Sequence, residues 1–126
     1  MFIKIEIDSD IPIYTQLANG LIEGVANGSL QSGDSLPSVR SLAGDLGVNM
    51  HTVNKAYHEL EKKGIVTIIP KSGAVVNVSL VVEAARNRIE STLRPVIAEA
   101  LAVGIPEKEI KLIITELISK IKEEKE

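Results

Sequence analysis

The chain has 126 residues and a mass of 13.6 kDa, which suits one domain, or one small domain with a short appendage, and allows a buried core. It has no cysteine and three aromatic residues, which excludes disulfides, zinc–thiolate sites and a cysteine nucleophile and nearly excludes base stacking on an aromatic platform. A net charge of −3 argues against a polyanion partner, but residues 38–73 carry five cationic against three acidic side chains.

The N-terminal segment predicts a short β-strand over residues 2–7, because Ile3, Ile5 and Ile7 alternate with polar residues. It has no continuous apolar stretch of signal-peptide length. No run in the chain approaches the roughly 18 apolar residues of a membrane span. We therefore expect a cytoplasmic protein that makes no membrane contact.

An amphipathic helix is predicted to begin near Pro12 and to end near Gly28. Its apolar residues follow helical spacing from Tyr14 to Val25. Two internal glycines, at positions 20 and 24, lower its intrinsic stability, so this helix must depend on tertiary packing or allow another segment to approach closely. Residues 31–37 have the composition of a loop.

Two short helices follow in immediate succession. Ser38 is predicted to cap a helix that ends at Leu46, and Asn49 to cap a second helix that runs to Lys63 and stops at Gly64. Two short helices joined by a tight turn that contains glycine are typical of a helix-turn-helix motif. The β-branched runs at residues 65–69 and 74–78, separated by a polar tip, predict a β-hairpin in the position of a wing.

The remaining residues predict two helices. The first begins after Ser79, and Pro95 is expected to kink or interrupt it near residues 91–94. A second helix should begin after Gly104-Ile105-Pro106, with Glu107 and Glu109 at the positive end of its dipole. The sequence thus indicates an α+β protein, with an N-terminal winged helix-turn-helix and a two-helix tail.

On an ideal helix, the second helix of the motif turns Val53 and Leu60 inward and a cationic stripe outward. The stripe by itself is open to two interpretations, a DNA-reading face or the ordinary solvated face of a surface helix. A capped helix before it and a hairpin after it favour the DNA-reading interpretation. The outward stripe and its flanking residues are His51, Thr52, Asn54, Lys55, His58 and Lys62.

Residues 11–78 resemble the GntR family of bacterial transcription regulators. The similarity rests on three stretches, and the short helical tail resembles the YtrA-type branch, whose members dimerise through about two helices. The stretches are Pro12-Ile13-Tyr14-x-Gln16, Gly33-Asp34-x-Leu36-Pro37-Ser38-Val39-Arg40-x-Leu42-Ala43, and Gly47-Val48-Asn49-x-x-Thr52-Val53-x-Lys55-Ala56-Tyr57-x-x-Leu60-Glu61-x-x-Gly64.

The resemblance implies a dimeric repressor that binds a palindromic operator in double-stranded DNA. We expect no cofactor and no metal, and the sequence identifies no small-molecule effector. Residues 1–78 would form the DNA-binding domain and residues 79–126 the dimerisation domain. The wing departs from the family pattern, which usually has more basic residues and an extra glycine there. The residues expected to contact DNA are Arg40, Asn49, His51, Thr52, Asn54, Lys55 and Lys71.

An enzyme is the first alternative, and the residues argue against it. The two histidines, His51 and His58, are seven residues apart on one helix, about 10.5 Å along its axis, too far to share a metal ion. There is no phosphate-binding glycine loop and no nucleophile with an adjacent base. A second alternative is a winged helix that serves protein–protein contacts without reading DNA, and a salt titration would distinguish it.

The tail helices also allow two interpretations. They could cover their own apolar faces as an intramolecular hairpin, or pack in a symmetric dimer of four helices. Two helices alone make a poor core, so we favour the dimer. The residues expected at its interface are Ile89, Leu93, Ile97, Ile110, Ile113, Ile114, Leu117, Ile118 and Ile121.

Overall fold

The computed structural model describes residues 3–78 and 82–124, which lie in two compact units. The α+β class, with a winged helix-turn-helix followed by C-terminal helices, is confirmed. The elements in chain order are α1 (Ile13–Ala26), β1 (Ser35–Leu36), α2 (Val39–Leu46), α3 (Met50–Lys62), β2 (Val66–Ile69), β3 (Gly73–Val76), α4 (Val82–Ala102) and α5 (Glu107–Glu123).

The core of the first unit forms where α1, α2 and the three-stranded sheet meet α3. Burial of each large aliphatic side chain there contributes about 1.5–3 kcal/mol to folding. Both helix caps predicted for the motif are present: the Ser38 side chain accepts a hydrogen bond from the Ser41 N–H, and the Asn49 side chain accepts one from the His51 N–H. Gly47 ends α2 in the left-handed conformation. The buried residues are Leu17, Ala18, Leu21, Leu36, Ala43, Val53, Ala56, Tyr57, Leu60, Val66, Ala74 and Val76.

The sheet is antiparallel with strand order β1-β3-β2, so the predicted hairpin is confirmed and gains a third strand. Ser35 and Leu36, which the composition assigns to a loop, pair with Val75 and Ala74. Gly73 is essential to this arrangement, since a Cβ atom there would lie 2.5 Å from the Leu36 carbonyl oxygen. The hairpin is therefore held directly against the residues that lead into α2.

The strand predicted for residues 2–7 is wrong for residues 3–7, which form neither helix nor strand. The side-chain amide of Gln16 takes the place of a partner strand: its Oε1 accepts from the Glu6 N–H at 2.8 Å and its Nε2 donates to the Glu6 carbonyl at 3.0 Å. Ile3 packs against α1 at Gly20, where an added Cβ would meet Ile3 Cγ2 at 3.3 Å. The close approach expected at a glycine of α1 is confirmed there.

The second unit consists of α4 and α5, which contact each other. Of the kink or interruption predicted near residues 91–94, the interruption does not occur, because α4 continues through Pro95. Proline fits the helical φ angle, and Ser91, whose carbonyl loses its partner, lies on an exposed surface where water can solvate it. As predicted, α5 begins after Pro106 with Glu107 and Glu109 in its first turn. A hydrogen bond from Lys111, 2.9 Å away, lowers the pKa of Glu107.

Candidate nucleic-acid interface

Helix α3 has one face in the core and the opposite face in solvent. Val53, Ala56, Tyr57 and Leu60 are buried, as the helical projection predicts. The polar side chains predicted to turn outward are exposed, apart from Thr52, which is half-buried. The exposed residues of this face are His51, Asn54, Lys55, His58 and Lys62.

Asn49 has a structural task at the start of this helix. Its side-chain oxygen accepts a hydrogen bond from the His51 N–H at 2.8 Å, and its carbonyl accepts from the Thr52 N–H at 3.0 Å. Such a cap satisfies backbone groups that have no partner within the helix. The side-chain oxygen of Asn49 is therefore committed to the cap, whereas its NH₂ group remains the side chain's hydrogen-bond donor.

Lys55 is exposed, but its ammonium has a partner within the chain. The Nζ atom lies 4.1 Å from the centroid of the Tyr14 ring on α1, which is a cation–π contact. At exposed sites such contacts contribute about 0.5–1 kcal/mol and restrict an otherwise flexible side chain. Sequence reasoning placed Tyr14 in the apolar stripe of α1 and missed this contact, because nothing in the local pattern relates α1 to the outward face of α3.

Arg40 is the second residue of α2 and is exposed. The segment before it is held by α3, since the Tyr57 hydroxyl donates a hydrogen bond to the Pro37 carbonyl at 2.7 Å. Burial raises the pKa of Tyr57 to about 12, so the phenol stays protonated and remains a donor throughout the neutral range. The buried face of α3 thus fixes the start of the helix that carries Arg40.

The tip of the wing presents Lys71 in an unusual backbone conformation. Its φ angle is +68°, in the left-handed region that side-chain-bearing residues seldom adopt. Pro70 precedes it, and the Ser72 N–H donates to the Ile69 carbonyl at 3.0 Å, the arrangement of a type II turn in which glycine normally takes the left-handed position. A lysine therefore occupies a strained position where glycine would be relaxed, as strained functional residues often do.

These side chains suit the binding of an anionic partner. Arg40, the outward face of α3 and Lys71 belong to one compact unit, in which α3 contacts both α2 and β2. Across residues 3–78 and 82–124, no group of three histidine, aspartate or glutamate residues could hold a metal ion. The arrangement offers hydrogen-bond donors and positive charge for phosphates and base edges.

The apolar residues predicted for a dimer interface lie on α4 and α5. Every residue of α4, from Val82 to Ala102, is at least partly exposed, and Ile110 is the buried residue of α5. Ile97 and Ile121 are half-buried. Along the described part of the chain, no helix is both long enough and apolar enough to cross a bilayer. The exposed members of the predicted set are Ile89, Leu93, Ile113, Ile114, Leu117 and Ile118.

Known proteins are similar to this chain in both sequence and fold. Residues 13–76 match the model of the gntR family of bacterial regulatory proteins. The chain is 32% identical over 123 residues to the HTH-type transcriptional repressor YtrA of Bacillus subtilis, and the match covers 95% of each chain. It is similar to the solved structure of a GntR-family transcription factor, YtrA from Sulfolobus acidocaldarius, with 42% identity, a TM-score of 0.59 and coverage of 94% and 97% of the two chains.

A third similar protein is a transcriptional antiterminator from Listeria monocytogenes, with 30% identity, a TM-score of 0.84 and coverage of 100% and 96% of the two chains. The resemblance to the YtrA-type branch is confirmed by a match that extends through the tail. The chain belongs to the gntR family of bacterial regulatory proteins, and it is a DNA-binding transcriptional regulator rather than an enzyme.

Proposed function

We propose that the chain is a cytoplasmic homodimer that represses transcription by binding a palindromic operator. The observation that carries the proposal is the outward face of α3, which is polar and cationic, whereas the opposite face of the same helix is buried in the core. The similarity to a repressor over nearly the whole chain supports the direction of regulation. Residues 1–78 would bind DNA, and residues 79–126 would pair the two copies.

The proposed contacts divide into two classes. Arg40 and Lys71 hold phosphates, since both are exposed cations in the unit that contains α3. The start of α3 enters the major groove, where histidine, threonine and asparagine can bond base edges and lysine favours guanine or phosphate. The residues proposed to read or approach bases are Asn49, His51, Thr52, Asn54 and Lys55.

Dimerisation is supported by the apolar surface of the second unit. Leu93 on α4 and Ile113, Leu117 and Ile118 on α5 are exposed in the single chain, and exposed large apolar side chains at helical spacing suit an interface. A closed two-fold pairing of α4 and α5 would bury it in a bundle of four helices. The same symmetry would set two copies of α3 about 34 Å apart, one turn of DNA, or a multiple of it.

The test is selection of bound duplexes from a random-sequence pool by the purified full chain. The proposal expects an enriched palindrome whose half-sites are separated by a whole number of DNA turns. Enrichment of a single unrepeated half-site would overturn the dimeric mode of binding. No enrichment at all would overturn sequence-specific recognition.

A further inference from the structure

One acidic side chain of α3 forms a hydrogen bond to the edge strand of the wing. In the sheet order β1-β3-β2, strand β2 is an edge, with a row of backbone groups that face away from β3. One of these, the Ile68 N–H, donates a hydrogen bond to Glu61 Oε2 at 2.9 Å. Glu61 lies in the last turn of α3, so this bond joins the helix to the strand directly.

The bond occupies a position from which it can control the wing. One residue before β2, the Ile65 N–H donates to the Leu60 carbonyl of α3 at 3.0 Å, so the base of the hairpin follows the helix directly. Backbone pairing joins β2 to β3 and, through β3, to β1, and the bond at Ile68 attaches the opposite edge of β2 to α3. Ile68 directly precedes the turn formed by Ile69 to Ser72, whose third residue is Lys71. Restricting Ile68 therefore restricts the place of the wing-tip cation.

The negative charge of Glu61 and its hydrogen bond should affect DNA affinity in opposite directions. An acidic side chain repels phosphates, so its removal should on charge alone strengthen binding to DNA. A carboxylate is also a strong acceptor for a backbone N–H, stronger than a neutral side chain. The two effects have opposite signs for DNA affinity, which makes the contribution of the hydrogen bond separable from that of the charge.

We propose that Glu61 is a positioning residue for DNA binding, which sets where Lys71 stands relative to the outward face of α3. The proposal rests on the proposed function, because it assumes that Lys71 holds a phosphate. Glu61 itself touches no DNA in this arrangement. It acts through the Ile68 N–H and the turn that the Ser72 N–H closes at the Ile69 carbonyl.

Two substitutions of Glu61 separate the effects. Glu61→Gln and Glu61→Ala remove the same charge, but glutamine keeps an oxygen that can accept the Ile68 N–H bond. Against the duplex recovered from the selection, we expect Glu61→Ala to bind about threefold or more weakly than Glu61→Gln. Glu59→Ala is the matched control, since it removes a charge from the same helix without removing a contact to β2, and it should bind at least as tightly as the wild type.

The readout specific to positioning is a double-mutant cycle with Lys71→Gln. If Glu61 acts through the wing-tip cation, the difference between Glu61→Ala and Glu61→Gln should disappear when Lys71 has lost its charge. Equal affinities for the two Glu61 variants, or a difference that persists unchanged beside Lys71→Gln, would overturn the proposal. Absence of binding by the wild-type chain in the same titrations would instead count against the proposed function.

A measurement on the wild-type chain keeps the proposal testable if Glu61→Ala does not fold. Hydrogen exchange of the Ile68 amide should be slowed, although this N–H faces away from β3 on an edge strand. Glu61→Gln should retain part of this protection. An Ile68 amide that exchanges in the wild type as fast as in an unstructured peptide would overturn the proposal.

Discussion

Replacing Lys71 by glycine should make the protein more stable and a weaker DNA binder. The φ angle of +68° at Lys71 costs a side-chain-bearing residue about 1–2 kcal/mol, which glycine would not incur. Glycine also increases the conformational entropy of the unfolded chain, which offsets about 0.4–1 kcal/mol of that gain. The free energy of unfolding should therefore rise by about 0.5–1 kcal/mol.

The same change removes one proposed phosphate contact in each protomer. Each contact contributes about 0.9 to the slope of log affinity against log salt concentration, so the slope for a dimer should become shallower by about 1.8. Between 1 M and 0.15 M salt this slope corresponds to about fivefold in affinity for each contact, hence about thirtyfold for the pair. Lys71→Gln is the matched control, because it loses the charge but retains the left-handed strain.

Urea denaturation followed by circular dichroism at fixed protein concentration measures the change in the free energy of unfolding. Fluorescence anisotropy titrations at several salt concentrations measure the change in DNA affinity. Lys71→Gly should unfold at higher urea concentration than the wild type, whereas Lys71→Gln should not. Both variants should lose the same affinity for DNA. If the glycine variant is no more stable than the glutamine variant, the proposed backbone strain at Lys71 is refuted. If both variants bind DNA as tightly as the wild type, the proposed contact between Lys71 and a phosphate is refuted.

Three further substitutions test other parts of the structure. Arg40→Ala should weaken operator binding about fivefold for each protomer at 0.15 M salt without loss of helix content, as titration and circular dichroism would show. Tyr57→Phe should lower the free energy of unfolding by about 1 kcal/mol, because it removes the hydrogen bond to the Pro37 carbonyl. The pKa of Tyr57 is about 12 in the folded state and about 10 in the unfolded state, so the wild type has a stability contribution below pH 10 that it loses as the pH rises towards 12. The phenylalanine variant should lack this pH-dependent contribution. Ile114→Glu should weaken dimerisation about 100-fold or more in sedimentation experiments, because it places a charge in the proposed apolar interface.

Each of these has a control within the chain. Arg86→Ala removes an exposed cation from α4 and should leave DNA affinity unchanged, so an equal loss in both arginine variants would contradict a specific contact of Arg40. Tyr14→Phe should keep the alkaline loss of stability, and a Tyr57→Phe variant that still loses stability between about pH 10 and 12 would contradict the buried phenol. Lys108→Glu changes charge on α5 outside the apolar stripe and should remain dimeric, whereas a dimeric Ile114→Glu variant would contradict the interface.

The helix-turn-helix could be predicted from the sequence because its signals are local. Ser38 and Asn49 cap the helices that follow them, and apolar residues at helical spacing determine which face is buried. The β-branched runs around Lys71 likewise predict the hairpin. Each of these features can be recognised within one element or two consecutive ones, so a single sequence is sufficient to reveal it.

Most features that sequence reasoning missed depend on residues far apart in the chain. The alternation of residues 3–7 is typical of a strand, but the amide of Gln16, ten residues further on from Glu6, binds the backbone that a neighbouring strand would have paired. The Tyr14–Lys55 contact joins α1 to α3, and Ser35–Leu36 becomes a strand by pairing with β3. The strain at Lys71 arises within a four-residue turn, but lysine carries no sequence signal for a left-handed conformation, so the sequence alone does not reveal it.

The most direct test of the central claim is the salt dependence of the wild-type chain's affinity for its selected duplex. Arg40 and Lys71 from two protomers would neutralise four phosphates, which predicts a slope of about −3.6 or steeper in log affinity against log salt concentration. A slope near zero, or no detectable binding to double-stranded DNA at very low ionic strength, would contradict a cationic face that grips the DNA backbone.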